Sequence, residues 1–153
     1  MLDTNVYEFL HLQYLDSVRK LINEQKIVVY GCKVIRKELR EISPKARLDG
    51  RSFRNLLLSI YDELTEGHDY QLESVAENLA EQYWNEYDGG IAKRKLMNDF
   101  LIVAISSVHN LDIIVSEDAH SMKSGQAIRA YLKVNNENGF RTPAFYSVKE
   151  LTL

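Results

Sequence analysis

The sequence predicts an α/β domain in three layers, with a central parallel sheet of four to five strands between layers of helices. Two observations predict it: the alternation of strands with helices, and the length of the chain. Short apolar runs alternate along the chain with longer stretches of helical periodicity. Strands that alternate with helices usually pair in parallel, with the helices covering the sheet. The length of 153 residues is typical of one domain with its own core, so we expect residues 1–153 to form a single domain.

In the first half of the chain, strands are predicted at Met1–Leu2 and Lys26–Tyr30. Asn5, with Glu8 three residues further on, fits the cap of a first amphipathic helix. The other segments predicted in this half are helices at Lys33–Ile42, Ser52–Leu64 and Gln71–Tyr87 and a polar, basic loop at Lys45–Gly50. Pro44 ends the first of these helices, because proline disfavours helix in the residue before it.

The second half is predicted to contain the remaining strands and helices. A helix begins at Lys93 and carries Asp99, and Ile113–Val115 follows as a buried strand. The closing segments are helices at Ala119–Lys123 and Gln126–Asn135, a loop at Asn135–Thr142, a strand at Ala144–Tyr146 and a turn at Val148–Leu151.

The composition excludes several classes of protein. Hydrophobic residues make up 45% and charged residues 27% of the chain, which is ordinary for a globular protein. No apolar run approaches the roughly 20 residues that span a bilayer, and Asp3 interrupts any leader sequence at once. The single cysteine, Cys32, suits a reducing compartment, and we expect a cytoplasmic protein without membrane contact. The net charge of -3 argues against a passive nucleic-acid coat.

Four acidic residues stand out by their positions. Asp3 ends the first predicted strand and Asp118 follows the strand Ile113–Val115, which places both at the carboxyl edge of a parallel sheet. Glu38 and Asp99 fall within or beside the apolar stripes of their helices. An ionised carboxylate that faces a core is costly unless it is paired or bound to a metal. We therefore expect the four acids to come together.

Each of these acids also has an ordinary structural role open to it. Asp3 and Asp118 are of a residue type that commonly caps helices. Glu38 could extend to solvent beside Lys37 or pair with an arginine, and Asp99 could lie at the edge of its stripe. We favour a joint role, because four separate explanations would otherwise be needed. Oxygen ligands without Cys or His suit Mg²⁺ or Mn²⁺ and favour metal-assisted hydrolysis of phosphodiester bonds.

The chain resembles the PIN-domain ribonuclease family through motifs that occur in the family's order. They are Leu2-Asp3-Thr4-Asn5, Glu38 on the second helix, Asp99 followed by Ile102-Val103-Ala104, and Ile113-Ile114-Val115-Ser116-Glu117-Asp118. The segment Phe145–Leu151 is similar to the family's last strand and closing helix. The helical insert between Lys45 and Lys93 resembles no particular subfamily, and the first strand has fewer apolar residues before its Asp than the family usually shows.

The resemblance implies a metal-dependent endoribonuclease that uses Mg²⁺ or Mn²⁺. Its catalytic and metal-binding residues would be Asp3, Glu38, Asp99 and Asp118, with Asn5 and Ser116 supporting them. Glu117 is the alternative to Asp118, which we prefer for its place in the Ser-x-Asp motif. Many family members are toxins of the VapC type, so the resemblance also implies RNA as substrate, a small antitoxin protein and a homodimer as partners.

Two further groups of side chains could contact RNA. The basic run Lys93, Arg94 and Lys95 lies about one helical turn before Asp99 and could hold phosphates, and Arg47, Arg51 and Arg54 could extend that track. A solvated helix start explains the run equally well. The aromatic residues Tyr83, Trp84 and Tyr87 could stack on bases, although a core or a dimer contact is the commoner use of such a cluster.

Two other functions compete with the ribonuclease. The first is a PIN-like scaffold or RNA-binding module with a weak site, against which the presence of all four acids counts. The second is an aspartate-based phosphatase, which would usually have a second acid close to the first. Asp3-Thr4-Asn5 lacks that acid.

Overall fold

The computed structural model describes residues 1–153 and shows a mixed α/β protein with short parallel strand pairs. The helices are α1 (Thr4–Phe9), α2 (Leu15–Asn23), α3 (Lys33–Glu41), α4 (Phe53–Thr65), α5 (Ser74–Glu86), α6 (Lys93–Val108), α7 (Gly125–Asn138) and α8 (Val148–Leu151), with a π-helical turn at Leu10–Tyr14. The strands are β1 (Gly31–Cys32), β2 (Arg47–Leu48), β3 (Arg51–Ser52), β4 (Asp69–Tyr70), β5 (Ile113–Val115) and β6 (Ala144–Tyr146). None of the helices combines the length and apolarity that crossing a bilayer requires.

The strands form three separate hydrogen-bonded pairs. β5 pairs with β6 in parallel, β1 pairs with β4 in parallel, and β2 with β3 forms an antiparallel hairpin. Leu2 adds one parallel bridge to Val115 at the free edge of β5. Backbone hydrogen bonds therefore join at most two strands and one bridge, and they do not build a single ladder of four to five strands.

The prediction of a strand at Lys26–Tyr30 was wrong in its position. The strand is Gly31–Cys32, and the backbone N–H of Gly31 donates to the carbonyl of His68 at 2.7 Å. Gly31 packs so closely on Tyr61 that a Cβ there would overlap the tyrosine hydroxyl. A glycine predicts the end of a strand. Here its lack of a side chain allows the backbone of Gly31 to pair with β4.

Two other local predictions were also wrong. Asp3, rather than Asn5, caps α1, because the backbone N–H of Thr4 donates to Asp3 Oδ1 at 2.7 Å. The segment Ala119–Lys123 forms consecutive turns instead of a helix. The carboxylate of Asp118 holds these turns by accepting backbone N–H groups, which competes with helical hydrogen bonding.

One hydrophobic core joins the helices to the parallel strand pairs. Tyr83, Phe100 and Tyr131 meet edge to face at its centre, on α5, α6 and α7. Tyr83 is fully buried, while Trp84 and Tyr87 stack on one another and pack against the core from its border. The aromatic cluster of α5 is thus built into the packing between helices.

Candidate functional site

The carboxyl end of β5 brings Asp3 and Ser116 side by side. Asp3 donates its backbone N–H to the Val115 carbonyl at 2.9 Å, which continues the bridge made by Leu2. The Ser116 hydroxyl then donates to Asp3 Oδ2 at 2.8 Å. The same hydroxyl oxygen accepts the backbone N–H of Asp118 at 3.1 Å. The buried Ser116 therefore links Asp3, which follows the Leu2 bridge, to the loop that carries Asp118.

A second serine links Asp118 to Asp99 on α6. The Ser121 hydroxyl lies 2.7 Å from Asp99 Oδ2 and also forms a short hydrogen bond with Asp118 Oδ2. A hydroxyl has one proton, so it can donate to only one of two ionised carboxylates. Both contacts are satisfied when one of the two carboxyl groups is protonated.

Glu38 joins the group from α3. Its Oε2 accepts a short hydrogen bond from the Thr4 hydroxyl, and its Oε1 accepts from Asn98 Nδ2 at 2.9 Å. Thr4 is the residue after Asp3 and Asn98 is the residue before Asp99. The four acids predicted from the sequence thus lie along one connected set of hydrogen bonds.

None of the four acids forms an ion pair, although His120 lies close enough to favour the ionised form of Asp118. The ion pairs of the chain involve none of Asp3, Glu38, Asp99 and Asp118. Burial, together with the charges of Glu38 and Asp118, raises the pKa of Asp3 to about 6. Burial and the charges of the other three acids raise the pKa of Asp99 to about 7.

Asp118 has the opposite environment. Burial acts to raise its pKa, but hydrogen bonds from Ser121 and from the backbone N–H of His120 outweigh burial and lower the pKa. At neutral pH the shared proton therefore belongs on Asp99, with Asp118 ionised. Two carboxyl groups that share one hydroxyl are held in different protonation states by their surroundings.

The chemistry of this donor set fits a hard divalent cation, because it consists of oxygen ligands with uncompensated charge. The side-chain geometry is less complete, since no three or more His, Cys, Asp or Glu side chains lie close enough together to hold one ion. Ser121 stands between two of the acids, and the Oδ1 atoms of Asp3 and Asp118 accept backbone N–H groups. Closing these acids on an ion would require Ser121 to move aside.

The supporting residues lie beside the loop after β5. Asn5 Oδ1 accepts the backbone N–H of Glu117 at 3.2 Å, and Asn5 Nδ2 lies 3.5 Å from the Ser116 hydroxyl. Glu117 points away from the acids, because its Oε1 accepts the backbone N–H of Val148 at 2.7 Å at the start of α8. Of the two acids in Ser116-Glu117-Asp118, the structure brings Asp118 to the other carboxylates.

The basic run at the start of α6 is exposed but only partly free. Lys93 pairs with Glu81 on α5 at 2.6 Å, whereas Arg94 and Lys95 form no ion pair. The helix separates the run from Asp99 by about one turn, as the sequence predicted.

Two contributors to the site were missed in the sequence. Ser121 follows Asp118 by three residues, a spacing at which an Asp side chain often accepts the backbone N–H of a turn. Asn98 precedes Asp99, and its amide reaches Glu38 across the gap between α6 and α3. Thr4, from the motif Leu2-Asp3-Thr4-Asn5, also contributes, because its hydroxyl donates to Glu38. The contacts of Asn98 and Thr4 with Glu38 cannot be identified without knowing which helices face each other.

Comparison of the chain with protein-family models, with curated proteins and with solved structures gave no significant match.

Proposed function

We propose that the protein is a metal-dependent ribonuclease of the PIN type, with its site at Asp3, Glu38, Asp99 and Asp118. One observation carries the proposal: four acids from four separate segments of the chain join one hydrogen-bonded group and form no ion pair with a basic side chain. Such an arrangement costs folding free energy. A site for a cation explains why the chain maintains it.

The arrangement of the strands supports the same proposal. β6, β5 and the Leu2 bridge run in parallel, as do β1 and β4. Leu2 and Val115 line one cavity together with Val29 and Tyr30, which places the two strand sets next to each other. We infer that they belong to one central sheet of the three-layer PIN-like type, opened between Leu2 and the segment before β1.

Each acid would have its own part in the reaction. Mg²⁺ or Mn²⁺ held by these carboxylates would activate water and stabilise charge on the phosphate. Asp3 is buried and held from both oxygens, so it provides a fixed ligand position. Asp99, with its pKa near 7, would be ionised in the cation-bound state, and Ser121 would turn out of the space between Asp99 and Asp118.

Replacement of Asp99 by Asn tests the activity. Asn keeps the size of the side chain and has an amide N–H that can donate to Ser121, as the protonated Asp99 does, but it cannot supply the negative charge. We expect Asp99→Asn to lower the rate of RNA cleavage in Mn²⁺ at least about 100-fold, the range in which a lost charge-stabilising contact usually falls. The measurement is cleavage of a fluorescently labelled RNA under single-turnover conditions.

The matched control is Asp88→Asn, which removes a charge from an exposed residue outside the acidic group. The control variant should cleave at the wild-type rate. Full activity in Asp99→Asn, at an unchanged melting temperature, would rule out the proposed role of Asp99. If the wild-type protein cleaves no RNA with either Mg²⁺ or Mn²⁺, the proposed ribonuclease function is wrong.

A second candidate function is a PIN-like scaffold or RNA-binding module. It is favoured by the geometry of Ser121, which fills the space between Asp99 and Asp118 and gives each acid a hydrogen-bonded structural role. In a scaffold, the acids would only accept the hydrogen bonds that stabilise turns and helix ends. The two functions differ in cation binding: a scaffold would bind Mn²⁺ no better than its Asp99→Asn/Asp118→Asn variant.

Toxin activity with a small antitoxin, and a homodimer, remain proposals carried by the motif resemblance. A co-expressed small protein that abolishes RNA cleavage would support the first. Sedimentation equilibrium would decide the second.

A further inference from the structure

Unpaired positive charge is concentrated in one stretch of the chain. This stretch, which we name the basic arm, is the segment 37–54 and includes the end of α3, the β2–β3 hairpin and the start of α4. Its basic side chains take part in no ion pair and no hydrogen bond: Lys37, Arg40, Lys45, Arg47, Arg51 and Arg54. Elsewhere in the chain most basic side chains pair with an acid.

The basic arm keeps these charges free although acids are present within it. Glu41 and Asp49 form no ion pair, and Glu38 is held by Thr4 and Asn98 instead. Counted together, the arm is net positive in a chain whose net charge is -3. The positive charge is therefore separated from the acidic surface of the rest of the molecule.

The hairpin holds its two arginines on opposite faces, because Arg51 shares a face with its partner Leu48 and Arg47 shares the other face with Ser52. β2 and β3 are joined by Asp49 and Gly50, which both have positive φ (50° and 77°), as in the tight hairpin turns that match strand twist. Leu48 pairs with Arg51 across the strands, and Arg47 pairs with Ser52. Arg47 and Arg51 are thus fixed at the backbone while their side chains stay in solvent.

The arm is continuous with the acidic site through α3. Lys37 is the residue before Glu38 and Arg40 follows it by two residues, so both lie within about 3 Å of Glu38 along the helix axis but point about 100° and about 200° away from it around the helix. A polyanion that follows the free cations of the hairpin onto α3 would therefore reach the helix that carries Glu38. Arginine provides most of these cations, and its planar guanidinium matches phosphate oxygens in a two-point contact.

We propose that the basic arm binds the phosphate backbone of single-stranded RNA and leads it to the four carboxylates. The inference rests on the proposed ribonuclease function and names the surface that holds its substrate. It assigns the main RNA contact to the hairpin rather than to the start of α6, where Lys93 is already engaged by Glu81.

The test removes the three arginines that surround the hairpin, as Arg47→Gln/Arg51→Gln/Arg54→Gln. Binding of an oligouridylate is measured by fluorescence anisotropy in EDTA, so that no cleavage occurs, between about 50 and about 200 mM salt. Each lost phosphate contact should reduce the slope of log K against log salt by about 0.7, so we expect a reduction of about 2 in its magnitude. Affinity at low salt should fall at least about tenfold.

The matched control is Lys20→Gln/Lys26→Gln/Lys133→Gln. It removes the same charge from exposed lysines that already pair with acids. We expect its affinity and salt slope to equal those of the wild type. Equal losses in the control and the arm variant would show an effect of net charge only and would overturn the inference.

Unchanged RNA binding in the arm variant would likewise overturn it and would point to an acidic protein segment as the occupant of the arm. The activity assay keeps this inference separate from the proposed function. If wild-type protein binds RNA through the arm but does not cleave it, the ribonuclease function fails and the binding surface stands. If the arm variant binds and cleaves like the wild type, the function stands and the arm inference fails.

Discussion

At the scale of single residues, the most informative contact is the Ser121 hydroxyl between Asp99 and Asp118. One donated proton cannot satisfy two ionised acceptors, so the pair must hold an extra proton or bind a cation. Asp118 stays ionised because backbone N–H groups point at it, and Asp99 takes the proton because it is more deeply buried among like charges. The pair therefore holds the one proton that its shared hydroxyl requires.

This proton makes stability depend on pH in the metal-free protein. The pKa values of Asp3 and Asp99 rise on folding from 3.8 to about 6 and about 7, so between these limits the native state binds more protons than the unfolded chain. The free energy of unfolding should consequently decrease as pH rises from about 4 to about 6. Above about pH 5 the amino group of Met1, whose pKa is lowered by burial from 8.0 to about 5, acts in the opposite sense and flattens the curve towards pH 7. Urea denaturation in EDTA at several pH values measures this slope.

Asp99→Asn should remove most of that dependence. The variant has no carboxyl group to ionise, and we expect it to exceed the wild type in stability by about 1–2 kcal/mol at pH 8, with little difference at pH 4. Asp88→Asn, an exposed counterpart, should follow the wild-type curve. A wild-type protein whose stability increases steadily from pH 4 to pH 7 would contradict the protonation assigned to Asp99.

At the scale of elements, a buried polar network joins three helices. Tyr83 on α5 donates to Asn135 Oδ1 on α7, and Asn135 Nδ2 donates to Ser107 Oγ on α6 at 3.0 Å and to Thr142 Oγ1 at 2.9 Å. Asn135 is completely buried. The network places α6, and with it Asp99, against α5 and α7 in one register.

Asn135→Ala should destabilise the protein by about 2 kcal/mol, because it removes the closer acceptor of the buried Tyr83 hydroxyl and leaves only Ser107 Oγ at 3.3 Å. Tyr83→Phe combined with Asn135→Ala should cost less than the sum of the two single changes, since the removed groups are each other's partners. Thermal and urea unfolding of the single and double variants measure both effects. The control is Asn136→Ala at the exposed neighbouring residue, which should change the free energy of unfolding by less than about 0.5 kcal/mol. Additive losses in the Tyr83→Phe/Asn135→Ala double variant would argue against the network.

At the scale of the whole molecule, the four acids form one hydrogen-bonded group, whereas the unpaired basic side chains are concentrated in the basic arm. Asp3 and Asp118 follow the Leu2 bridge and β5, Asp99 lies on α6, and Glu38 lies on α3, where the basic arm begins. A ligand that binds the native state alone stabilises it in proportion to the logarithm of its concentration. A divalent cation at the acids would therefore be visible in the melting temperature of the whole protein.

We expect Mn²⁺ at about 100 times its dissociation constant to raise the free energy of unfolding by about 2.7 kcal/mol. Differential scanning calorimetry at neutral pH, with Ca²⁺-free buffer and an EDTA reference, measures the shift. The double variant Asp99→Asn/Asp118→Asn should melt at the same temperature with and without Mn²⁺. An equal shift in this variant would place the ion elsewhere, and no shift in the wild type would favour the scaffold.

Local sequence patterns predicted the long helices well. The bounds of α3, α4 and α6 agree with the periodic stretches to within a residue or two, and β5 and β6 lie where their apolar runs were found. Short elements were predicted poorly. Residues Ile27–Tyr30 have the composition of a strand, but the ladder forms one position later, where Gly31 allows close packing on Tyr61.

The sequence alone predicted that Asp3, Glu38, Asp99 and Asp118 would come together, because strand ends and helix stripes repeat at known spacings. It also determined the overall helix order, since each long helix has its own apolar face. Only the tertiary structure decided that Ser121 shares its hydroxyl with Asp99 and Asp118, and that Asn98 and Thr4 hold Glu38. Hydrogen bonds between distant segments depend on how helices dock and which rotamers fit, and no local spacing encodes either of them.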